Sequence, residues 1–132
     1  MRRLAMVILL LAPALSGCVV AAAALVAGAA VGTYHYVKGN MLREYNASVA
    51  RCWNASLETC RRMQLDKPRG NPPDAAGGVM YSRRPADGSK VTIEFRSTGP
   101  GRTQVGVRFG DFGDEKISED FHALLAEELT RR

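Results

Sequence analysis

The sequence predicts a small α+β domain, ordered α-β-β-β-α, whose three-stranded antiparallel sheet is covered on one face by two helices. Apolar residues recur at three- and four-residue steps in two segments, which is the helical period. Between these segments, two shorter runs alternate apolar and polar residues, which is the period of a half-buried strand. Residues 4–37 contain no Asp, Glu, Lys or Arg. An N-terminal signal and a Gly/Ala-rich apolar helix are therefore predicted to precede the domain.

Length and composition limit what the chain can be. It has 132 residues, of which 46% are apolar and 23% are charged. This is enough for one ordinary domain, and the composition is that of a globular protein. It excludes a disordered chain, a collagen-like chain and a disulfide-dense mini-protein, and it leaves little room for an enzyme.

The first 17 residues have the form of a secretory signal. A basic start, Met1-Arg2-Arg3, is followed by an apolar run over residues 4–15 that is too short to span a membrane. Leu15-Ser16-Gly17-Cys18 then resembles the lipobox of bacterial lipoproteins, in which the cysteine thiol takes a diacylglycerol and the chain is cut before it. We therefore predict that residues 1–17 are a lipoprotein signal peptide, cleaved between Gly17 and Cys18, with Cys18 as the lipidated residue.

The same resemblance implies a location in the cell. Val19 follows the cysteine, whereas an Asp at this position commonly retains Gram-negative lipoproteins at the inner membrane. We expect a lipid-anchored protein of the outer membrane that faces the periplasm. Loss of Arg2 and Arg3 lowers the formal charge from +5 to +3. Each acyl CH₂ buried in lipid contributes about 0.8 kcal/mol, so two or more chains anchor stably.

Residues 18–39 form a membrane-proximal tract. Its 19 uncharged residues, Val19 to Val37, would make a helix about 28 Å long, close to the thickness of a hydrocarbon core. Gly28 and Gly32 have the G-x-x-x-G spacing that lets two helices approach, so they are candidate helix-association residues. Tyr34, His35 and Tyr36 resemble an interfacial aromatic belt. The tract either inserts into the bilayer and self-associates, or lies as a helix or linker on the membrane or on the domain.

The predicted periplasmic domain covers residues 40–132 and begins with a long helix. Its apolar stripe is Leu42, Tyr45, Val49, Cys52, Trp53, Leu57, Cys60 and Met63. Trp53 is predicted to anchor the core. Cys52 and Cys60 are eight residues apart, or about 12 Å along a helix, too far for a disulfide within it. We favour buried thiols over a disulfide to another chain.

The predicted sheet consists of a weakly patterned strand over residues 77–84 and two alternating strands over 90–96 and 103–109. Turns rich in Pro and Gly separate them. The residues expected to face the core are Val91, Ile93, Phe95, Val105, Val107 and Phe109.

The last helix is predicted to begin at Ser118 as its N-cap, after a Gly-rich turn that contains Asp111 and Asp114. Its apolar stripe is Ile117, Phe121, Leu124, Leu125 and Leu129. Turn and capping roles are expected for the two aspartates, rather than cation binding. His122 is predicted to lie on the helix surface.

The order of these features resembles a family of small bacterial envelope lipoproteins known as the domain of unknown function 3568. The most specific segment is residues 105–114, VGVRFGDFGD, which leads to Ser118. The resemblance covers nearly the whole chain. It implies a lipid-anchored envelope location and supplies no activity, substrate or catalytic residue.

No motif for catalysis, metal binding or a cofactor emerges from the sequence. We expect a non-enzymatic, lipid-anchored structural or interaction module that contacts the membrane and either envelope proteins or a second copy. Basic residues are spread along the chain, so nucleic acid is not expected as a partner and anionic headgroups suit them better. The alternative is a periplasmic carrier of a small apolar or amphipathic ligand, held between the helices and the sheet. An enzyme that uses Asp111, Asp114 and His122 is a third, weaker hypothesis.

Overall fold

A computed structural model describes residues 30–131 of the chain. This part forms a five-stranded antiparallel sheet, with strand order β1-β2-β5-β4-β3, and two helices. The elements, in chain order, are β1 (Ala30–Val37), β2 (Asn40–Tyr45), α1 (Val49–Arg62), β3 (Gly77–Arg83), β4 (Lys90–Gly99), β5 (Arg102–Phe109) and α2 (Glu115–Thr130). The α+β class and the two helices are confirmed, whereas the prediction of three strands is wrong.

The two additional strands form the β1–β2 hairpin. The helical interpretation of the apolar tract is wrong for Ala30–Val37, and the first helix begins at Val49 rather than near Asn40. Lys38 and Gly39 both have positive φ, 51° and 82°, which is the backbone of a two-residue hairpin turn. Six residues are too few to separate a period of 2 from one of 3.6. The sequence pattern therefore did not identify β2 as a strand, in which Met41 and Tyr45 lie on the buried face.

The other three strands agree closely with their predicted positions. Strand β5 lies at the centre of the sheet, between β2 and β4, and β3 lies at the edge. All six residues predicted to face the core are buried: Val91, Ile93, Phe95, Val105, Val107 and Phe109. The helices contact β2, β4 and β5 on this face. The alternating pattern thus correctly separated the covered face of β4 and β5 from the open face.

Helix α1 is capped by Ser48, whose hydroxyl accepts a hydrogen bond from the Arg51 backbone N–H at 3.2 Å. Cys52 and Cys60 are free and buried, which confirms the prediction of buried thiols. The indole of Trp53 is half-buried and packs on Phe95, with the ring centroids 5.3 Å apart. Trp53 therefore anchors the margin of the core, on its α1 side.

Helix α2 begins four residues earlier than predicted. Its N-cap is Asp114, whose carboxylate accepts a hydrogen bond from the Ile117 N–H at 3.1 Å. Ser118 is fully buried within the first turns of the helix, so its prediction as the cap is wrong. Asp and Ser cap equally well, and here the turn at Gly113 ends immediately before Asp114. The capping role expected for Asp114 is confirmed.

The chain between α1 and β3 covers the outer edge of β3. Arg69 and Tyr81 exchange two backbone hydrogen bonds, at 2.7 and 2.8 Å, and the N–H of Asp66 donates to the carbonyl of Arg83 at 2.9 Å. These bonds occupy backbone groups that an edge strand otherwise leaves open to another strand. Among the described residues, no strand covers the outer edge of β1 in this way.

Candidate functional site

A buried polar cluster lies between the β1–β2 hairpin and α2. The hydroxyl of Tyr45 is 2.6 Å from Nδ1 of His122, and Nε2 of His122 is 2.9 Å from the carbonyl oxygen of Met41. A carbonyl oxygen only accepts hydrogen bonds, so Nε2 carries the proton and Nδ1 accepts the hydrogen bond donated by the Tyr45 hydroxyl. Both side chains are fully buried. The prediction that His122 lies on the surface is wrong.

Arg43 and Tyr34 extend this cluster towards the solvent. Nη1 of Arg43 donates to the hydroxyl of Tyr34 at 3.0 Å, and the guanidinium lies 4.6 Å from the centre of the Tyr34 ring. It also lies 5.8 Å from the centre of the Tyr45 ring. Tyr34 in turn packs against the imidazole of His122, with the centroids 5.5 Å apart. The Tyr34 side chain, expected in a membrane-interface belt, thus packs on the domain itself.

Burial sets the ionisation of the cluster. Loss of hydration lowers the pKa of His122 from 6.5 to about 4, and the nearby Arg43 charge acts in the same direction. Burial also raises the pKa of the Tyr45 hydroxyl far above its ordinary value. The imidazole and the phenol are therefore both neutral at neutral pH. A neutral, solvent-inaccessible pair is suited to holding α2 in place rather than to exchanging protons with a substrate.

The open face of the sheet carries a groove of about 600 Å³. At its centre a row of residues crosses four strands: Leu42, Gly106, Glu94 and Val79. Gly106 leaves space that Leu42 fills, since a Cβ at Gly106 would lie 2.6 Å from Cδ2 of Leu42. Arg96 and Gln104 add a cation and an amide to the lining. The groove thus combines apolar side chains with charged ones.

Comparison with known protein families shows which family the chain belongs to. The family described as a protein of unknown function (DUF3568) matches residues 3–128. The chain belongs to this family. The match confirms the resemblance to the domain of unknown function 3568, and it includes β1–β5 and all but the end of α2. The envelope location and the lipid anchor that the resemblance implied remain predictions. No curated protein matches the chain.

The DUF3568 match extends over the predicted anchor. Gly17, Cys18 and Gly28 lie outside the described residues, so their predicted roles in cleavage, lipidation and helix association remain predictions. Gly32 lies in β1, which is a strand and not the helix on which the G-x-x-x-G spacing depends. His35, three residues further along the same strand, is exposed. No helix among residues 30–131 is long and apolar enough to cross a membrane.

The structure does not bring together the three residues of the weaker enzyme hypothesis. Asp111 is exposed in the turn before α2, and Asp114 is held at the helix start by its capping bond. His122 lies eight positions further along, or about 12 Å along the axis. The described part of this DUF3568 chain also holds no cluster of three His, Cys, Asp or Glu side chains that could bind a metal ion.

Sequence patterns missed the buried cluster because its members come from distant parts of the chain. Tyr45 and His122 are 77 positions apart. Tyr45 was predicted on the apolar stripe of the first helix, and His122 on the surface of the last one. One signal was available: Arg43 stands between Met41 and Tyr45 at alternating positions. A cation in a row of large inward side chains needs buried polar partners, which this cluster supplies.

Proposed function

We propose that this protein is a non-enzymatic, lipid-anchored component of the cell envelope whose α+β domain serves as a structural or interaction module. It is held through Cys18 in the outer membrane and faces the periplasm. The observation that carries the proposal is Leu15-Ser16-Gly17-Cys18 directly after a basic start and a short apolar run. Membership of a family described only as of unknown function adds no activity to this proposal.

The domain supports an interaction role through the contrast between its two faces. The face beneath the helices is filled by large, fully buried side chains, among them Tyr45, Phe121, Met41, Met80, Ile93 and Leu125. The opposite face offers the groove with Leu42, Glu94 and Arg96. A protein that binds through the open face needs no rearrangement of its core to do so.

The anchor is tested by the intact mass of the protein purified from membranes. We expect a chain that begins at Cys18 and carries acyl groups. Cys18→Ala should leave the signal uncleaved and the protein unacylated. Cys52→Ala removes a different thiol and should leave processing unchanged. A wild-type chain that still begins at Met1 and carries no acyl group would overturn the proposal.

The interaction role is tested by crosslinking in intact membranes. Glu94→Arg reverses a charge in the groove on the open face and should reduce the yield of a crosslinked complex. Glu58→Arg makes the same reversal on the exposed side of α1, away from the groove, and should leave the yield unchanged. Equal yields for both variants would exclude the open face as the contact surface.

A carrier of a small apolar or amphipathic ligand is the second candidate, and the volume of the groove favours it. About 600 Å³ is within the range of small-molecule sites. The groove lies on the open face rather than between the helices and the sheet, so a ligand would remain partly exposed. Native mass spectrometry of the protein from its source membrane should show a bound lipid-sized species if this second function applies, and only the bare chain if it does not.

A further inference from the structure

One end of the domain is formed by two interlocked turns. The turn between β1 and β2 packs against the loop between β5 and α2: a Cβ at Gly39 would lie 2.7 Å from the carbonyl oxygen of Phe112. A Cβ at Gly113 would lie 2.5 Å from the hydroxyl oxygen of Tyr36. Both glycines also have positive φ. We call this end, residues 36–39 and 110–113, the tip.

The tip carries the two most exposed large apolar side chains among residues 34–131, Phe112 and Val37. Phe112 is 91% exposed, Val37 is 50% exposed and Tyr36 is 41% exposed. The loop that carries Phe112 is held in place, since the Gly110 N–H donates to the carbonyl of Lys90 at 2.7 Å and Asp114 caps α2 directly after it. A fixed backbone that presents a phenyl ring to water indicates a contact surface rather than a loosely held loop.

Charged side chains lie within the tip and on the segments that adjoin it. Lys38 and Asp111 belong to the tip, and Lys90, Arg108, Glu115 and Lys116 lie on the strands and helix that adjoin it, with Asp114 as the helix N-cap. An aromatic ring, a tyrosine and a nearby lysine are residues that favour the boundary between lipid headgroups and acyl chains.

The opposite end of the domain is the end at which the chain enters, and it differs from the tip in its exposed side chains. Ala30 pairs with Tyr45, and Tyr45 pairs with Thr103, so the chain enters the domain beside the turn between β4 and β5. That turn contains Gly99, Pro100 and Gly101. None of the exposed large apolar side chains of residues 34–131 lies at this end. Among the side chains of residues 34–131, the entry end therefore presents none as exposed and apolar as Phe112.

We propose that the tip inserts Phe112, with Tyr36 and Val37 beside it, into the interface of the bilayer that holds the lipid anchor. This inference rests on the proposed anchor at Cys18. Residues 19–29 number eleven and reach at most about 40 Å, whereas the eight residues of β1 extend about 26 Å. An extended segment is therefore long enough to connect a lipidated Cys18 to Ala30 while the far end of β1 touches the same membrane, whereas the helix predicted for this tract would reach only about 16 Å and would not.

The test measures which end of the domain enters the lipid. The single native indole, Trp53, is first replaced in the full-length chain by Trp53→Phe. Phe112→Trp or Pro100→Trp then adds one reporter at the tip or at the entry end. The purified chain is placed in vesicles of phosphatidylethanolamine and phosphatidylglycerol whose acyl chains are brominated, because bromine quenches only an indole that reaches the acyl region. Intact mass is recorded on the same samples.

We expect strong quenching and a blue-shifted emission for Phe112→Trp, and neither for Pro100→Trp. Adding Val37→Asp should remove most of the quenching, because it places a carboxylate beside the inserted ring. Quenching at position 100 with none at 112, or at neither position, would overturn the proposal. If the chain is acylated but position 112 is not quenched, the proposed anchor stands and the proposed insertion of the tip is wrong. If the chain is unacylated but position 112 is still quenched, the insertion stands and the anchor is wrong. If the chain is unacylated and position 112 is not quenched, both proposals are wrong.

Discussion

The covered face of the sheet has two halves, which are stabilised by different interactions. Beneath α1, the side chains of β4 and β3 are apolar and pack by shape: Val91, Ile93, Phe95 and Met80. Beneath α2, the β1–β2 hairpin contributes Tyr34, Arg43 and Tyr45 to a hydrogen-bonded cluster with His122. The apolar half depends on volume, and the polar half depends on hydrogen bonds between buried groups, although Nε of Arg43 has no such partner among the described residues.

This difference decides how each half responds to change. A removed methyl group in the apolar half leaves a void, whose cost grows with its size. A removed hydroxyl in the polar half leaves almost no void, but it deprives a buried partner of its hydrogen bond. The comparison also predicts that the polar half responds to acid, since His122 is its titratable base.

The largest effect is expected in the apolar half. Ile93 is fully buried on β4, and Ile93→Ala should lower the free energy of unfolding by about 2–5 kcal/mol. Ile93→Val removes one methyl group at the same position and should cost about 0.5–1.5 kcal/mol. Chemical denaturation measures both. Equal losses for the two variants would show that volume does not control this half.

Acid should weaken the polar half. The pKa of folded His122 is lowered from 6.5 to about 4, so the unfolded chain takes up this proton first as the pH falls. The stability contributed by the neutral imidazole is complete above about pH 6.5. It is lost as the pH falls towards 4, by roughly 3 kcal/mol in total.

NMR of the imidazole nitrogens follows this titration directly, and denaturation at pH 7 and pH 5 follows its effect on stability. The resonances of His122 should keep the pattern of the Nε2–H tautomer through pH 5. An imidazole that becomes protonated above pH 6 in the folded protein would contradict the buried geometry.

Removal of one hydroxyl should cost less than either of these changes. Tyr45→Phe keeps the ring and leaves Nδ1 of His122 without its donor, which should lower the free energy of unfolding by about 1–3 kcal/mol. Tyr81→Phe makes the same change on an exposed ring and should stay within about 0.5 kcal/mol of the wild type. If the two variants are equally stable, the hydrogen bond between Tyr45 and His122 does not contribute to the free energy of unfolding.

The smallest effect is expected outside both halves. Arg102 and Glu44 form an ion pair on the open face, and about half of the arginine side chain is exposed. Arg102→Gln should lower the free energy of unfolding by only about 0.2–1 kcal/mol, and less in high salt. A loss as large as that of Ile93→Ala would mean that the open face contributes to the core.

The sequence predicted the apolar half of the fold well and the polar half poorly. The alternation of Val91, Ile93 and Phe95 identifies its own buried face because hydrophobic burial needs no particular partner. The hairpin was missed because Met41, Arg43 and Tyr45 alternate over too few residues, with a cation at the centre. His122 was placed at the surface because its acceptor and donor, Met41 and Tyr45, lie some 80 positions earlier. Such pairings are visible only once the chain is folded.

The cover on β3 has a consequence for how copies of this protein can meet. Because the segment around Arg69 already bonds the backbone of Tyr81 and Arg83, a foreign strand finds fewer free backbone groups there than at an uncovered edge. Among the described strands, β1 is then the more open margin of the sheet. Two molecules that met through β1 would be related by a twofold axis, and a closed pair of this kind offers no second copy of the same junction.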